Sequence, residues 1–177
     1  MHIDLTGRKA VVTGSTAGIG RAIAEGLARA GAAVVINGPE PTAGRFGASG
    51  VTRPLSAGGF RRRFSRPRDA RGRGGVVRAS TGYGILINNV GTGRSTSFYE
   101  VNDNEWSDLF QLNVMSGVRA SRHYMPNMKK RGGGRVVFIS CESALAVPKD
   151  MIDYAMTKTA QLAIARGLVV RTSVERA

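Results

Sequence analysis

Residues 11–20 (VVTGSTAGIG) constrain the fold of this chain more than any other stretch. An apolar run stops at three glycines, and an amphipathic helical pattern follows. A bound phosphate needs backbone N–H groups aimed at it, an approach free of side chains, and the positive end of a helix dipole. Gly14, Gly18 and Gly20 supply the first two, and the helix supplies the third. The spacing G-x-x-x-G-x-G differs from the dinucleotide fingerprint G-x-G-x-x-G, so a plain strand-to-helix connection stays open as an alternative.

The flanks of this turn predict a βαβ unit. Residues 9–13 are a short β-branched run, as in a buried strand, and residues 33–36 are a second one. Between them, apolar residues recur every fourth position and would share one helix face: Ile19, Ile23 and Leu27. Gly31 stands where a helix C-terminal glycine belongs. A strand–helix–strand crossover implies a parallel sheet, so we expect an α/β fold.

The segment 38–83 has a different character. Residues 39–78 hold ten arginines against Glu40 and Asp69, and Pro, Gly and Ser fill much of the rest. Neither a helical nor a strand period persists there, and Val76 with Val77 is the candidate for a short strand. The net charge of +14 is therefore more a local property than one of the whole chain. We expect an irregular segment between two ordered parts.

Order returns after residue 84. Residues 85–89 (ILINN) are an apolar run that ends in polar residues, as at the carboxyl end of a parallel strand, and residues 135–140 (RVVFIS) form a further strand. Asn102 with Glu105 predicts a capping box that opens a helical region, with breaks, over 104–130. Residues 153–168 have helical composition, and the residues after them indicate nothing definite.

Tyr154 and Lys158 stand four residues apart, so they would share a helix face. A nearby ammonium favours phenolate over phenol, which lowers the pKa of a tyrosine from about 10 toward neutrality. Such a tyrosine can exchange a proton with a carbonyl or hydroxyl oxygen. The spacing also occurs by chance in many helices. Asn113, and the turn at 88–91 (NNVG), each have an ordinary structural explanation as well.

Together and in this order, these residues resemble the short-chain dehydrogenase/reductase family. Residues 13–20 match its TGxxxGIG cofactor turn, and 88–91 match NNAG with Val90 for alanine. Asn113 falls at the active-site asparagine, and Tyr154 with Lys158 matches YxxxK. The resemblance covers about 1–37 and 84–168. It implies a doubly wound, Rossmann-type parallel sheet in a single partial domain over 1–177, and NAD(P)-dependent interconversion of an alcohol and a carbonyl.

The resemblance also implies roles for individual residues. Tyr154 is the expected general acid/base, Lys158 holds the nicotinamide ribose and depresses the tyrosine pKa, and Asn113 anchors a relay water. Cys141 occupies the position where a serine normally polarises the substrate oxygen. A thiol is a weaker donor than a hydroxyl, so we expect this step to be impaired. As a structural alternative, Cys141 is a small, partly buried residue. The expected cofactor contacts are Gly14, Ser15, Thr16, Gly18, Ile19, Gly20, Asn37, Asn89, Gly91, Tyr154 and Lys158.

The choice of cofactor is read where the second strand ends. An acidic residue there favours NAD, and a nearby arginine accommodates the 2′-phosphate of NADP. Here Asn37 and Gly38 offer no acid, and Pro39 replaces the arginine that often follows Asn-Gly in NADP-using members. We expect NADP, with NAD as the alternative.

Two parts depart from the family pattern. The segment 38–83 should carry a helix, the third strand and an aspartate beside the adenine, none of which is evident, although its length is right. A shifted reading frame closed by a second shift near residue 82 would explain this composition. Family members also continue past the last residues of this chain into a sixth strand, a substrate-covering segment and a seventh strand. We therefore expect an incomplete sheet and a pocket without one wall.

Composition bounds the cellular setting. No run approaches the ~20 apolar residues of a membrane helix, and early charges argue against a signal peptide. The lone Cys141 excludes an internal disulfide and favours a reducing compartment. We expect a cytoplasmic protein with a small carbonyl or alcohol substrate, and neither a membrane partner nor a metal.

Other partners stay open. The regions 104–130 and 153–168 resemble helices that pair in family dimers, which leaves room for a homo-oligomer. Two other function classes also fit the sequence: a non-catalytic nucleotide-binding remnant, and a nucleic-acid-binding protein acting through residues 61–63 (RRR) and 71–75 (RGRGG). The second is disfavoured because a frame slip would produce the same arginines.

Overall fold

The computed structural model of the protein describes residues 3–38, 61–62 and 82–174. Five parallel strands form one sheet in the order β3-β2-β1-β4-β5, where β1 is Lys9–Val12, β2 is Ala33–Ile36, β3 is Arg61–Arg62, β4 is Ile85–Asn88 and β5 is Arg135–Phe138. The chain places β2 and β3 on one side of β1 and places β4 and β5 on the other. This is the doubly wound, Rossmann-type sheet that the sequence predicts, and the α/β fold class is confirmed.

Side chains on the strands alternate between two hydrophobic layers. Ala10 and Val12 of β1 point to the layer that helix α1 (Gly18–Arg29) covers, together with Ala24 and Ala28 of that helix. Val11 points to the opposite layer, where it packs with residues of helix α3 (Ser116–Lys130). Because alternate residues of every central strand meet a different helix, the sheet is buried on both faces.

Helix α1 ends as predicted, but its buried face is rotated. Gly31 has φ +95°, which is the left-handed conformation expected after a helix C-terminus. Small residues make the close approach to the sheet, namely Gly20, Ala24 and Ala28. Ile19 lies about 100° from Gly20 around the helix axis, so it misses this contact and is 68% exposed. The prediction that Ile19 shares the core face is therefore wrong, whereas Ile23 and Leu27 do pack against the core.

The helical region after β4 is continuous but changes its pitch. Helix α2 (Asp103–Phe110) opens with the predicted capping box, in which Asn102 and Glu105 satisfy each other's backbone N–H groups. A π-helical segment, Gln111–Met115, follows and leads directly into α3. Such wider turns are frequent at functional sites, and this one holds Asn113.

After β5 a short 3₁₀ turn, Glu142–Ala144, leads to helix α4 (Ile152–Val174). The helix predicted over 153–168 is confirmed and continues six residues further. The sequence did not indicate this extension because β-branched residues dominate it and are weak helix formers. Once a helix exists, each added residue gains a hydrogen bond without a new nucleation cost, so the helix propagates through them.

The segment predicted to be irregular contributes one element to the described structure. Arg61–Arg62 pairs with Val35 and Ile36 of β2 as an edge strand. A two-residue strand carries no readable period, so the sequence did not reveal it. Val76 with Val77, and most of the arginine- and glycine-rich stretch, lie outside the described residues. Within the part of the chain that the structure describes, no helix has the length and apolar character needed to cross a membrane.

Gly20 provides a test of the α1 packing. A Cβ at Gly20 would overlap the carbonyl oxygen of Gly14 and Nδ2 of Asn89, so Gly20→Ala must open the turn. We expect a loss of about 2 kcal/mol in the free energy of unfolding, measured by urea denaturation. Gly26→Ala is the matched control in the same helix, because a Cβ there meets nothing within 4 Å. It should gain about 0.5–1 kcal/mol. Equal stability of the two variants would contradict the packing described.

Candidate active site

The candidate site lies between β1 and β4, where the strand order of the sheet reverses. From β1 the chain proceeds to β2 on one side, whereas β4 leads to β5 on the other. The connections after β1 and β4 therefore diverge and leave a crevice beyond the carboxyl ends of these strands, which is where ligands bind in such sheets. Gly14 follows β1 into this crevice, and the loop 89–93 follows β4 into it.

The two sides of the crevice are joined by hydrogen bonds of Thr13 and Asn89. The hydroxyl of Thr13 accepts the backbone N–H of Asn89 at 3.0 Å and donates to the carbonyl of Ile87 at 3.3 Å. Asn89 Nδ2 returns the link by donating to the carbonyl oxygens of Thr13 at 3.1 Å and Gly14 at 2.9 Å. Asn89 thus holds the glycine turn in place. The neighbouring Asn88 is buried and donates to Ser121 of α3 at 3.3 Å.

Ser15 and Thr16 line the side of the turn that faces β2. Ser15 is buried, donates to the carbonyl of Val12 at 2.6 Å and accepts the backbone N–H of Asn37 at 2.9 Å. Its hydroxyl therefore ties the turn to the end of β2. Thr16 lies against Gly38, where an added Cβ would come within 2.5 Å of its hydroxyl oxygen. Asn37 and Gly38 thus lie beside the turn, as the sequence predicts.

The start of α1 has the properties of an anion site. Gly14 and Gly18 have φ angles of +62° and +55°, a conformation that residues with side chains rarely adopt. The N-cap residue, Ala17, offers no side-chain hydrogen bond to the helix start, and the first turn contains no acidic residue. The exposed N–H groups and the positive end of the dipole therefore remain for an external anion.

The second half of the site is built on α4. Tyr154 and Lys158 lie four residues apart, and the ammonium nitrogen Nζ of Lys158 is 5.5 Å from the centre of the tyrosine ring. Lys158 is buried, with 5% of its surface exposed, and donates to the carbonyl of Ile139 at 3.0 Å. This hydrogen bond holds the Lys158 ammonium close to the Tyr154 ring.

Asn113 ties this helix to the loop that follows β4. Its Oδ1 accepts the backbone N–H of Thr92 at 2.9 Å, and its Nδ2 donates to the carbonyl of Thr92 at 2.8 Å. Nδ2 also donates to the hydroxyl of Thr157 on α4 at 3.0 Å. The residue is 1% exposed, so burial leaves these bonds little competition from water.

Two glycines of the loop 89–93 lie against the side chains of the second half of the site. A Cβ on Gly91 would stand 3.4 Å from both Asn113 Oδ1 and Lys158 Nζ. A Cβ on Gly93 would stand 2.8 Å from Cγ of the Tyr154 ring. The loop therefore touches the glycine turn through Asn89 at one end and the tyrosine–lysine pair at the other. In this way the structure brings the sequence-predicted cofactor and catalytic residues to one crevice.

The protonation of Tyr154 differs from the sequence expectation. Burial raises the pKa of Tyr154 to about 12, together with the hydrogen bond to Cys141 and the negative charge of the Cys141 thiolate. The predicted lowering of this pKa is therefore wrong for the site as described. The physical reason is that burial and the Cys141 sulfur act on the phenol, whereas the Lys158 ammonium lies 5.5 Å from the ring centre and donates to Ile139 and Gln161.

Cys141 lies next to the tyrosine, as the spacing predicts, with its sulfur 3.6 Å from the phenolic oxygen of Tyr154. It is exposed, so the alternative that it is a partly buried structural residue is wrong. Partial desolvation of the sulfur raises the pKa of the thiol, but hydrogen bonds from Tyr154 and Ser143 and the charge of Lys158 outweigh it, and the pKa is lowered.

Four site residues were missed by sequence reasoning: Thr13, Gly93, Thr157 and Gln161. Thr13 is the first residue of the TGxxxGIG motif, so the sequence did mark it. Its role as the link to β4 could not be predicted, because that role depends on the order of strands in the sheet. Thr157 and Gln161 lie three and seven residues after Tyr154, on the same helix face. That spacing was a usable signal. Gly93 had none, because its need for a small side chain arises only from the ring above it.

Comparisons with known proteins agree with this geometry. The family model described as short chain dehydrogenase matches residues 8–174. The chain belongs to the short chain dehydrogenase family. The fold prediction and the resemblance drawn from the sequence are both confirmed.

Individual relatives extend this result. The chain is 39% identical over 169 residues to YvaG, an uncharacterised oxidoreductase of Bacillus subtilis, covering 95% of this chain and 64% of that protein. It is 30% identical over 178 residues to the 3-oxoacyl-(acyl-carrier-protein) reductase FabG of Escherichia coli, covering 94% of this chain and 68% of that protein. Among solved structures, the L-sorbose reductase of Gluconobacter frateurii, complexed with NADPH and L-sorbose, is similar with a TM-score of 0.80 and 30% identity. That match covers 99% of this chain and 68% of the reductase. The chain thus spans about two thirds of the length of such short chain dehydrogenase relatives.

The thiol–phenol contact predicts a measurable titration. Cys141 is the single cysteine, so the pH dependence of alkylation by iodoacetamide reports on it alone. We expect a midpoint below that of an ordinary thiol, because Tyr154 donates to the thiolate. Tyr154→Phe removes this donor and should move the midpoint up. Tyr99→Phe is the control, since Tyr99 is 94% exposed. An unchanged midpoint in Tyr154→Phe would show that the contact does not stabilise the thiolate.

Proposed function

We propose that this chain carries the cofactor turn and the proton-transfer residues of an NAD(P)-dependent oxidoreductase that interconverts an alcohol and a carbonyl. The observation that carries the proposal is the loop 89–93, which contacts the glycine turn at one end and Tyr154 with Lys158 at the other. A nucleotide whose pyrophosphate rests on α1 would therefore extend toward the tyrosine. Family membership supports the same class of reaction.

The residues present fit a dinucleotide. The uncapped start of α1 and the positive-φ glycines suit a pyrophosphate, and the lack of side chains at Gly91 and Gly93 lets the loop approach Lys158 and Tyr154 closely. At the end of β2, the absence of an acid at Asn37 and Gly38 favours NADP over NAD. The L-sorbose reductase complexed with NADPH supports this choice, as does the 3-oxoacyl (acyl-carrier-protein) reductase of Agrobacterium tumefaciens with NADP bound, at 30% identity and a TM-score of 0.74.

The proton chemistry follows from Tyr154. When bound, the nicotinamide supplies or takes up the hydride. Tyr154 keeps its proton at neutral pH, because its pKa is about 12, and can donate that proton to a carbonyl oxygen as it becomes a hydroxyl. The substrate oxygen would take the place of the Cys141 sulfur as the acceptor of the phenolic hydrogen bond. The site as described therefore suits carbonyl reduction better than alcohol oxidation.

Lys158 and Asn113 support this step from behind the tyrosine. The Lys158 ammonium lies 5.5 Å from the centre of the Tyr154 ring, and its positive charge would stabilise the phenolate left after proton donation. It is also the residue that would hold the nicotinamide ribose. Asn113 fixes the loop 92–93 against α4, and the second lone pair of its main-chain carbonyl would anchor the relay water.

Cys141 weakens the same step. A thiol donates a poor hydrogen bond to the substrate oxygen, and a thiolate donates none. The lowered pKa of Cys141 favours the thiolate, which accepts the hydrogen bond that Tyr154 would otherwise donate to the substrate oxygen. Its negative charge would also oppose the developing charge on the oxygen. We propose that turnover by this chain is impaired for this reason.

The first expectation concerns Tyr154. Tyr154→Phe should lower the rate of reduced-nicotinamide consumption with a generic ketone by about 100-fold or more, because the proton donor is lost. Binding of NADPH, measured by calorimetric titration, should persist and should be tighter than that of NADH. Tyr99→Phe keeps the same chemical change at an exposed site and should behave as the unchanged chain. Equal rates in the two variants would rule out Tyr154 as the acid.

The second expectation concerns Cys141. Cys141→Ser should raise turnover of the same ketone by about tenfold, since a hydroxyl restores a hydrogen-bond donor to the substrate oxygen and removes the charge that raises the pKa of Tyr154. Steady-state rates at matched NADPH saturation measure this. If serine brings no gain, the impairment has another cause.

The remaining alternatives are outcomes of these experiments. NADPH binding without turnover in every variant would favour the non-catalytic remnant. The nucleic-acid alternative rests on residues 63 and 71–75, which lie outside the described part of the chain, and on the strand residues Arg61 and Arg62. Homo-oligomerisation, the small-molecule substrate and the cytoplasmic location stay predictions.

A further inference from the structure

Gln161 lies on the same face of α4 as the proposed catalytic pair. Tyr154, Lys158 and Gln161 stand at positions i, i+4 and i+7, which form one stripe along a helix. The side chain of Gln161 is 1% exposed. A buried carboxamide costs free energy unless its donor and acceptor atoms are both satisfied, so its partners define its role.

Both ends of the Gln161 carboxamide have partners in the site. Nε2 donates to the main-chain carbonyl of Asn113 at 2.6 Å, and Oε1 accepts from Lys158 Nζ at 3.4 Å. This orientation is chemically required. A carbonyl oxygen can only accept and an ammonium can only donate, so the flipped amide would lose both bonds.

We propose that Gln161 is a positioning residue: it holds the Lys158 ammonium beside Tyr154 and anchors it, through its own amide, to the π-helical segment at Asn113. This inference rests on the proposed function, since it assigns Gln161 to the same reaction. It goes beyond that function because it names a direct protein bridge between the lysine and the asparagine carbonyl.

The bridge matters because Lys158 is buried. Burial lowers the pKa of Lys158, and the negative charge of Cys141 opposes that effect. A hydrogen bond to the charged form also favours the ammonium. The titratable groups that face Lys158 among the described residues are Tyr154 on its own helix and Cys141 after β5. The loop after β4 presents Gly91, and the π-helical segment presents Asn113, neither of which is charged. Gln161 is therefore a neutral side-chain acceptor that favours the ammonium, in addition to the main-chain carbonyl of Ile139.

The bridge also restrains the π-helical segment. The carbonyl of Asn113 accepts from Gln161, while the side chain of Asn113 donates to Thr157, the residue directly before Lys158. Helix α4 thus holds Asn113 at two points. Loss of the Gln161 bond would leave one of them and would loosen the asparagine relative to the lysine.

The test follows the charge of Lys158 by NMR titration of isotope-labelled lysine, with the Lys158 signal assigned by its loss in Lys158→Met. Gln161→Met keeps the size of the side chain and removes the acceptor, so the Lys158 midpoint should fall by on the order of one pH unit. Gln161→Glu supplies a charged acceptor, so the midpoint should rise above that of the unchanged chain. The fall in Gln161→Met is the deciding result, because a carboxylate at position 161 would raise the Lys158 midpoint whatever the role of Gln161.

Gln111→Met is the matched control, because Gln111 is exposed and bonds to Arg119 at 2.6 Å, away from Lys158. It should leave the Lys158 midpoint unchanged. The alkaline limb of the pH–rate profile with NADPH and a ketone should follow the lysine, moving down in Gln161→Met and up in Gln161→Glu. If Gln161→Met fails to fold, Gln161→Asn takes its place, because the shorter side chain withdraws the carboxamide oxygen from Lys158 and the midpoint should again fall.

An unchanged Lys158 midpoint in the folded Gln161 variants would overturn the inference. The titration needs neither nucleotide nor substrate. A chain without turnover whose Lys158 midpoint still shifts as expected would therefore refute the proposed function and leave the Gln161 bridge supported.

Discussion

The hydrogen bonds from Asn89 to the glycine turn are the constraint on which the rest of the site depends. Two parallel strands end side by side, and their chains leave in opposite directions, so nothing in the sheet ladder fixes one connection relative to the other. Thr13 and Asn89 supply that link with main-chain and side-chain bonds across the gap. Gly20 must lack a side chain because the same contact fills the space above it. The loop then continues from Asn89 to Gly91 and Gly93, which lie against Lys158 and Tyr154.

A second set of buried polar bonds fixes the other half of the crevice. Asn113, Thr157 and Gln161 are nearly inaccessible to solvent, and each has hydrogen-bond partners on another segment. Such a network rigidifies a site when it is complete and is costly when one member is lost. It also explains why the helix widens at Gln111–Met115. The wider turn carries Asn113 to a position where both its side chain and its carbonyl are reached from α4.

The protonation of the site is set by neighbours that compete for the same protons. Lys158 donates its hydrogen bonds to Ile139 and Gln161, and the phenolic oxygen of Tyr154 forms a hydrogen bond with the Cys141 sulfur. The result is a tyrosine whose pKa rises to about 12 and a thiol whose pKa falls. A serine hydroxyl in place of the Cys141 thiol would stay neutral near pH 7. The Tyr154 phenol would then remain free to donate its hydrogen bond to the substrate. One sulfur atom therefore changes the electrostatics around Tyr154.

The sequence alone determined the βαβ unit, the parallel sheet, the capping box at Asn102 and the positions of Tyr154 and Lys158, because each depends on residues that are close in the chain. Tertiary structure decided what depends on distant residues meeting. Ile19 proved exposed because small residues make the helix–sheet contact, and Arg61–Arg62 became a strand because β2 offered it an edge. The pKa of Tyr154 rose because burial and Cys141 outweigh a lysine whose protons are engaged elsewhere. Spacing along a helix places two side chains on one face, but only packing decides which atoms receive their hydrogen bonds.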